Sequence, residues 1–326
     1  MKRTFLIFVA LAALLFVGCT TRTSIAPRTA DGKPYDIVVV CPNDAWHGAL
    51  SMAVCDMLEE DVPGLTRPQG YFNIAKQTDE QGLTDIDRRC CNVLRLSIDP
   101  AYVTPSTSVA YNVYARPQTI VVVKAPSAEV ATRYVESSAA ALRDIFERAE
   151  RETSNNYYRA AASEQLMADF KAHTGIEMVI PNNYYKATTR DKELLWYIRD
   201  YTKKAQYIFA YSYDYTSAED LSPEWIMRSI ANRLYTIPGE LAGSYMGVNE
   251  DGPAIVADIE VNGRKWRELR GWWEVKGDFM GGPFVSYTTL DETNGRLTTI
   301  LFALYAPEEG QRSPLRELEH LIYTAK

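Results

Sequence analysis

Ile255-Val256-Ala257-Asp258-Ile259-Glu260-Val261-Asn262-Gly263-Arg264-Lys265-Trp266-Arg267 reads as two strands and the turn that joins them. Over 255–261 the residues alternate with period 2, the pattern of a half-buried strand. Asn262-Gly263 then supplies the two residues that best tolerate the positive φ angles of a tight hairpin turn. The returning strand runs over 264–275, and strands at 284–290 and 297–305 flank a second Asn-Gly pair, Asn294-Gly295. This spacing predicts an antiparallel meander of about four strands. Ser313-Pro314 opens a closing helix with Leu315, Leu318, Leu321 and Ile322 along one side. A sheet with helices packed on one face is an α+β layer, the class expected here, with antiparallel or mixed sheets.

Upstream, the β-branched run 37–41 reads as a buried strand. Asn43 or Asp44 would cap a helix carrying Trp46, Leu50, Val54, Met57 and Leu58, ended by Pro63-Gly64. Strands are expected at 71–76, 92–98, 109–114 and 119–123. Pro126-Ser127 leads into a long helix lined by Ala131, Tyr134, Val135, Leu142, Ile145, Phe146 and Ala149. The polar stretch 148–159 reads as a boundary. Ser163 caps a helix that Gly175 ends, and 177–180 reads as a strand. Leu194, Leu195, Ile198 and Tyr201 suggest another helix, 207–215 a strand, and Ser222-Pro223 a helix with Ile226, Ile230 and Leu234 as its core stripe. The echo of Ser127-Ala128-Glu129 in Ser217-Ala218-Glu219, each between strand and helix, is what two related halves would leave, and also what chance leaves over three residues.

The amino terminus supplies an address. Lys2-Arg3 precede an uncharged apolar run too short for a membrane span of ~20 residues but suited to a secretory signal. Leu14-Leu15-Phe16-Val17-Gly18-Cys19 resembles the lipobox of bacterial lipoproteins, with Phe16 where leucine is usual. That resemblance implies cleavage before Cys19 and lipid, palmitate included, on its sulfur and nitrogen. It marks off a signal peptide (1–18) and a tether after the lipidated cysteine (19–34), and the polar boundary at 148–159 divides the rest into two α+β domains (35–155 and 156–326). Several acyl chains on one residue suffice for stable anchoring. The whole chain carries 35 basic and 42 acidic side chains, and without Lys2 and Arg3 the balance is 33 to 42. A mildly acidic body gives no electrostatic reason to bind nucleic acid or anionic lipid headgroups.

Tyr71-Phe72-Asn73-Ile74-Ala75-Lys76-Gln77, the run 92–99, Arg270-Gly271-Trp272-Trp273-Glu274-Val275 through Gly281-Gly282-Pro283-Phe284-Val285-Ser286-Tyr287, and Leu304-Tyr305-Ala306-Pro307 resemble a Bacteroidota lipoprotein family catalogued as a domain of unknown function. The resemblance covers nearly the whole mature chain. It implies an envelope lipoprotein and assigns no catalytic residue. In such lipoproteins an acidic cluster after the cysteine tends to accompany surface display. No such cluster follows Cys19, which points to the outer membrane facing the periplasm.

The chain holds no G-x-S-x-G, phosphate loop, dinucleotide fingerprint, H-E-x-x-H or calcium loop. His47, His173 and His320 are dispersed, so no metal site or cofactor is expected. Asp44 and His47, three apart, could meet on a helix face and serve a hydrolase-like site; we read them as helix-start residues. Cys41, Cys55, Cys90 and Cys91 allow three pairings, or serve as buried thiols. Strand alternation puts Tyr207, Phe209, Tyr211, Tyr213 and Tyr215 on one face, able to stack sugars but read here as a packing face. The irregular loop region is the expected contact for an envelope ligand or partner: Trp272 and Trp273 face opposite sides of a strand, and Gly281 and Gly282 permit close approach. A non-catalytic binding module follows from these residues.

Overall fold

The computed structural model describes residues 28–326, so the signal segment, Cys19 and the tether up to residue 27 lie outside the described residues. The first sheet is built from β2 (Asp36–Val40), β3 (Asn73–Thr78), β4 (Asn92–Ile98), β5 (Ser106–Tyr111) and β7 (Thr119–Ala125), in the order β3-β2-β4-β7-β5. The first four strands are parallel and β5 is antiparallel at the edge. Two short strands, β1 (Arg28–Thr29) and β6 (Ala115–Arg116), pair separately. Parallel strands need crossovers, and α1 (Ala49–Glu59) and α3 (Ala128–Ala160) cover one face of the sheet. There Leu50, Val54, Met57, Val135, Leu142 and Phe146 pack against Ile37, Val39, Leu94 and Val121. The other face has a thinner cover. Val38, Val40, Val93 and Ile120 meet Leu83 and Cys90 beside the one-turn helix α2 (Asp85–Arg88).

The second sheet is antiparallel throughout, in the order β11-β13-β14-β15-β10-β9-β8 with β12 also on β13. Its strands are β8 (Tyr185–Lys186), β9 (Leu195–Asp200), β10 (Ala205–Asp214), β11 (Tyr245–Val248), β12 (Ile255–Val261), β13 (Arg264–Lys276), β14 (Gly281–Asp291) and β15 (Arg296–Tyr305). The meander is present as expected. Asn262 and Gly263 both have positive φ (52° and 79°), and Val261 pairs with Arg264 across the turn. Side chains alternate across this sheet. Ile208, Ala210, Val285, Ile300 and Phe302 point to α4 (Glu164–Thr174) and the closing helix α6 (Arg312–Ile322). Phe209, Tyr211, Leu269, Trp273 and Leu301 point to α5 (Pro223–Leu234). The chain is an α+β protein; helices cover one face of the first sheet and both faces of the second.

Several local expectations change. Residues 195–200 form β9, not a helix, because both faces are buried: Tyr197 enters one core and Trp196 the other, which blurs the strand period. The run 177–180 joins no strand. Val179 N–H donates to Thr324 Oγ1 and Glu177 C=O accepts from Lys326 N, so the tail of the chain satisfies its backbone instead. Helix α1 begins after Gly48, whose φ is 61°; Asn43, Asp44, Trp46 and His47 lie in the preceding turn. The stretch 148–159 is the last part of α3, with Glu150, Asn155 and Tyr158 buried. The paired Ser-Ala-Glu segments share only a capping role. Ser127 and Ser217 each cap the turn that follows, but one sheet is largely parallel and the other antiparallel. The four described cysteines are free thiols. Burial, with Asp44 adding to it, pushes Cys41 up to about 12, and burial does the same for Cys91.

Helix α6 joins the two sheets. Leu315, Leu318, Leu321 and Ile322 pack on the second sheet. Its charged side is buried too, facing the first unit. Gln69 from the loop after α1 caps the helix, its Oε1 accepting from Gln311 N (2.6 Å) and Arg312 N (2.8 Å). On β13, Arg270 donates two hydrogen bonds to Glu319 (2.7 and 3.2 Å) and one to Glu268 (2.7 Å). Arg316 pairs with Glu147 of α3 at 3.2 Å. Tyr35 lies against His320 (Oη to Nε2, 3.4 Å), while Glu150 accepts from Tyr35 N and Asn92 Nδ2. Burial raises the Glu319 carboxyl, but Arg270 and Arg316 outweigh it and hold the group below its usual range. Burial pushes His320 well below its ordinary value, and Arg316 and Arg151 add to this.

His320 therefore stays neutral in the folded state, whereas the unfolded chain takes up a proton near pH 6.5. The unfolded state binds more protons as pH falls through that value, so His320 costs stability on acidification and not on alkalinisation. Between pH 7 and 5.5 the native protein should lose about 1 kcal/mol more unfolding free energy than His320→Gln, measured by urea denaturation. Glu150, which burial raises, works in the opposite direction but is common to both proteins and cancels in the comparison. Parallel pH profiles for the two would contradict this assignment.

Candidate functional site

Trp272, Trp273, Gly281 and Gly282, the expected ligand contacts, sit in or beside paired strands. Trp272 and Trp273 face opposite sides of β13 as expected. Trp273 is buried, donates Nε1–H to Leu304 C=O (3.1 Å) and meets the Tyr207 ring edge-on at 5.8 Å. Trp272 is half-buried and donates Nε1–H to Gly64 C=O at 2.9 Å, tying β13 to the loop of the first unit. Gly282 pairs with Trp273, and Gly281 with Glu274. A Cβ on Gly282 would stand 2.0 Å from Leu304 O, so the close approach its glycine permits is to a neighbouring strand. The hairpin tip exposes Phe279 fully, and Met280 lines a groove of about 560 Å³ with Tyr207 and Tyr305. Asp44 and His47 are both exposed in the turn before α1. Cys19 lies outside the described residues.

A groove better equipped for a ligand lies where α5 crosses β10. Ser222 caps α5 by accepting from Trp225 N, and Pro223 sits in its first turn. Ile226, Ile230 and Leu234 bury one stripe of this helix against Phe209 and Tyr211. The neighbouring stripe carries Trp225, Arg228, Ser229, Asn232 and Arg233, which with Thr236 just past the helix, Tyr213 and Asp191 line about 430 Å³. That volume suits a small molecule. Trp225 and Tyr213 lie with ring centroids 4.6 Å apart at 32°, making an aromatic wall. Arg233 is held by Asp191 at 2.7 Å and covers the Tyr211 ring at 5.3 Å. Arg228 and Asn232 stand exposed at the rim.

The hydroxyls of Tyr211 and Tyr213 are buried and find no hydrogen-bond partner among the described residues. Burial raises both phenols, Tyr211 to about 12, with Ser229 and Thr299 nearby easing the rise. Both therefore remain protonated donors at neutral pH. Asp191, the carboxylate in this lining, is engaged by Arg233, so the groove offers stacking surface and hydrogen-bond donors. The alternation of β10 identified the aromatic row. It did not reveal Asp191, Arg228, Asn232 or Arg233. The signal for the helical part was Trp225 followed by polar residues at helical spacing. A wider groove of about 1090 Å³ between the β12–β13 and β14–β15 hairpins is lined largely by charged side chains, of which Arg267 and Asp258 pair with each other.

Residues 163–324 match the family described as "Domain of unknown function (DUF4837)", and residues 30–159 match "Domain of unknown function (DUF8532)". The two matches meet at the end of α3. No curated protein matches the chain in sequence. Among solved structures, LpqN of Mycobacterium tuberculosis, a protein involved in cell envelope biogenesis, aligns with 11% identity and a TM-score of 0.28. That alignment covers 46% of this chain and 82% of LpqN. A likeness of that size carries no argument about this protein.

The burial of the aromatic row separates core from groove residues. Tyr211→Ala and Trp273→Ala should each cost roughly 3–5 kcal/mol of stability, as large buried aromatics do. Trp225→Ala, from a half-buried position, should cost on the order of 1–2 kcal/mol. Urea unfolding of the three variants tests the order, and a Trp225→Ala loss equal to that of Tyr211→Ala would contradict it.

Proposed function

We propose that this protein is a lipid-anchored component of the bacterial cell envelope, held at the outer membrane facing the periplasm, and that its body is a non-catalytic binding module. The α5–β10 groove takes a polar, ring-bearing ligand of the sugar type. The observation that carries the reading is the Trp225–Tyr213 wall beside a buried, unpartnered phenol hydroxyl. An aromatic face stacks on the C–H face of a sugar ring, while phenol and guanidinium groups hydrogen-bond its hydroxyls. Arg228 and Asn232 supply donors at the rim, and Asp191 is already committed to Arg233. The lipobox-like Leu14–Cys19 stretch supports the address. Among the described residues no helix is long and apolar enough to cross a membrane, so the lipid on Cys19 is the anchor this reading requires.

Two arms test the reading. Cys19→Ala should move the protein from the membrane fraction to the soluble fraction, and undiminished membrane retention would contradict the anchor. On an array of bacterial envelope glycans, the native body should bind a defined subset, and Trp225→Ala should weaken that binding at least tenfold. Binding that survives Trp225→Ala unchanged, or no binding to any glycan, would overturn the groove assignment.

A further inference from the structure

We infer that the loop joining β5 to β6 is a membrane-docking surface that rests on the lipid headgroups beside the Cys19 anchor; this inference depends on the lipid-anchor reading above. Four large apolar side chains stand open to solvent around this loop: Ile86 (63% exposed), Tyr111 (62%), Val113 (52%) and Tyr114 (42%). They are held in place. The buried Gln118 accepts from Tyr114 N through Oε1 (2.9 Å), and its Nε2 donates to Arg88 C=O at the end of α2 (2.6 Å). Its main-chain carbonyl also accepts from Asn112 N. With the backbone satisfied from within, the loop presents its apolar side chains outward in a fixed arrangement.

What covers this patch follows from where the chain comes from. Strand β1 pairs with β6 in parallel, Arg28 opposite Ala115 and Thr29 opposite Arg116, immediately after Val113 and Tyr114. The chain leading from Cys19 therefore reaches the body at the patch itself. Only residues 20–27 intervene, and even fully extended they place Arg28 within about 32 Å of the lipidated residue. Among the described residues, Val103 (92% exposed) follows the carboxyl end of β4, whereas the incoming chain passes its amino end, where Asp31 bridges to Cys90. Phe279, the most exposed, sits on the β13–β14 turn of the second sheet.

The composition also fits a lipid surface. Tyrosine is favoured at the membrane–water interface, where its ring lies among headgroups and its hydroxyl stays hydrated. Arg28 and Arg116 are exposed at the edge of the patch and can meet headgroup phosphates, favouring anionic lipid. The net negative charge of the whole body argues against general adhesion, and Asp85 beside Ile86 is exposed as well, so contact would be confined to the edge that carries Arg28 and Arg116.

The test uses the full lipidated chain in vesicles of phosphatidylethanolamine and phosphatidylglycerol. The photo-crosslinking residue p-benzoylphenylalanine is placed singly at 113, at 279, or at the exposed position 235 of the second unit. Flotation first reports whether the anchor holds. Val113 is expected to crosslink to phospholipid at least fivefold more than Phe279 or Tyr235. A protein that floats but crosslinks equally from 279 or 235, or not at all from 113, overturns the docking surface and leaves the anchor standing. A protein that does not float overturns the anchor and the docking surface with it.

Discussion

The arrangement of this protein depends on one buried ion cluster. Glu319 sits on α6 with Arg270 of β13 on one side and Arg316 on the other, and Arg316 reaches Glu147 of α3. Removing charges from water is expensive, so each of these groups is tolerable only while its partners stay in place. The partners come from three elements that belong to different layers. Helix α6 cannot leave the first unit without stranding Arg316 and exposing Glu147. Nor can it leave β13 without stranding Arg270. Gln69 adds a directional lock, because the first turn of α6 is capped by a residue more than 240 positions earlier in the chain. The loop carrying Gln69 also ties down Trp272 through Gly64. The two sheets are thus joined by charge pairs and caps that are satisfied in one relative placement.

That constraint separates the tasks of the two ends. The interface uses one face of the second sheet, so the α5 face is left to form the groove with Trp225, Tyr213 and Arg228. The far end of the first unit, where β1 meets β6, is where the chain arrives from its proposed anchor. A body whose units do not hinge against each other would hold its groove at a set distance and angle from the membrane. This suits a module that binds a fixed envelope component better than one that closes around a substrate.

Much of the second sheet was legible in the sequence because two Asn-Gly turns punctuate clean alternation. The long helix, the capping by Ser127, Ser163 and Ser222, and the Gly175 stop were legible for the same local reasons. What failed was non-local. Strand β9 lost its period because both faces are buried, and the 177–180 run was extended but found its partners in the last residues of the chain. The most instructive case is α6. Arg312, Arg316, Glu319 and His320 occupy the side that amphipathic reasoning assigns to water, yet Arg316 and His320 are buried against Glu147 and Tyr35 of the first unit, and Glu319 is buried against Arg270. No spacing rule links Glu319 to Arg270, 49 residues away. The binding residues show the same division: the aromatic alternation of β10 could be read directly, while its meeting with α5 and Asp191 depended on the fold. Trp273 and Gly282 are unusual in the sequence, and in the fold both pack against Leu304 of the neighbouring strand.

The central claim is that α6 makes the two sheets one folding unit. Differential scanning calorimetry of residues 28–326 tests it most directly. The account predicts a single unfolding transition whose calorimetric and van't Hoff enthalpies agree. Two resolved transitions, one for each sheet, would contradict it.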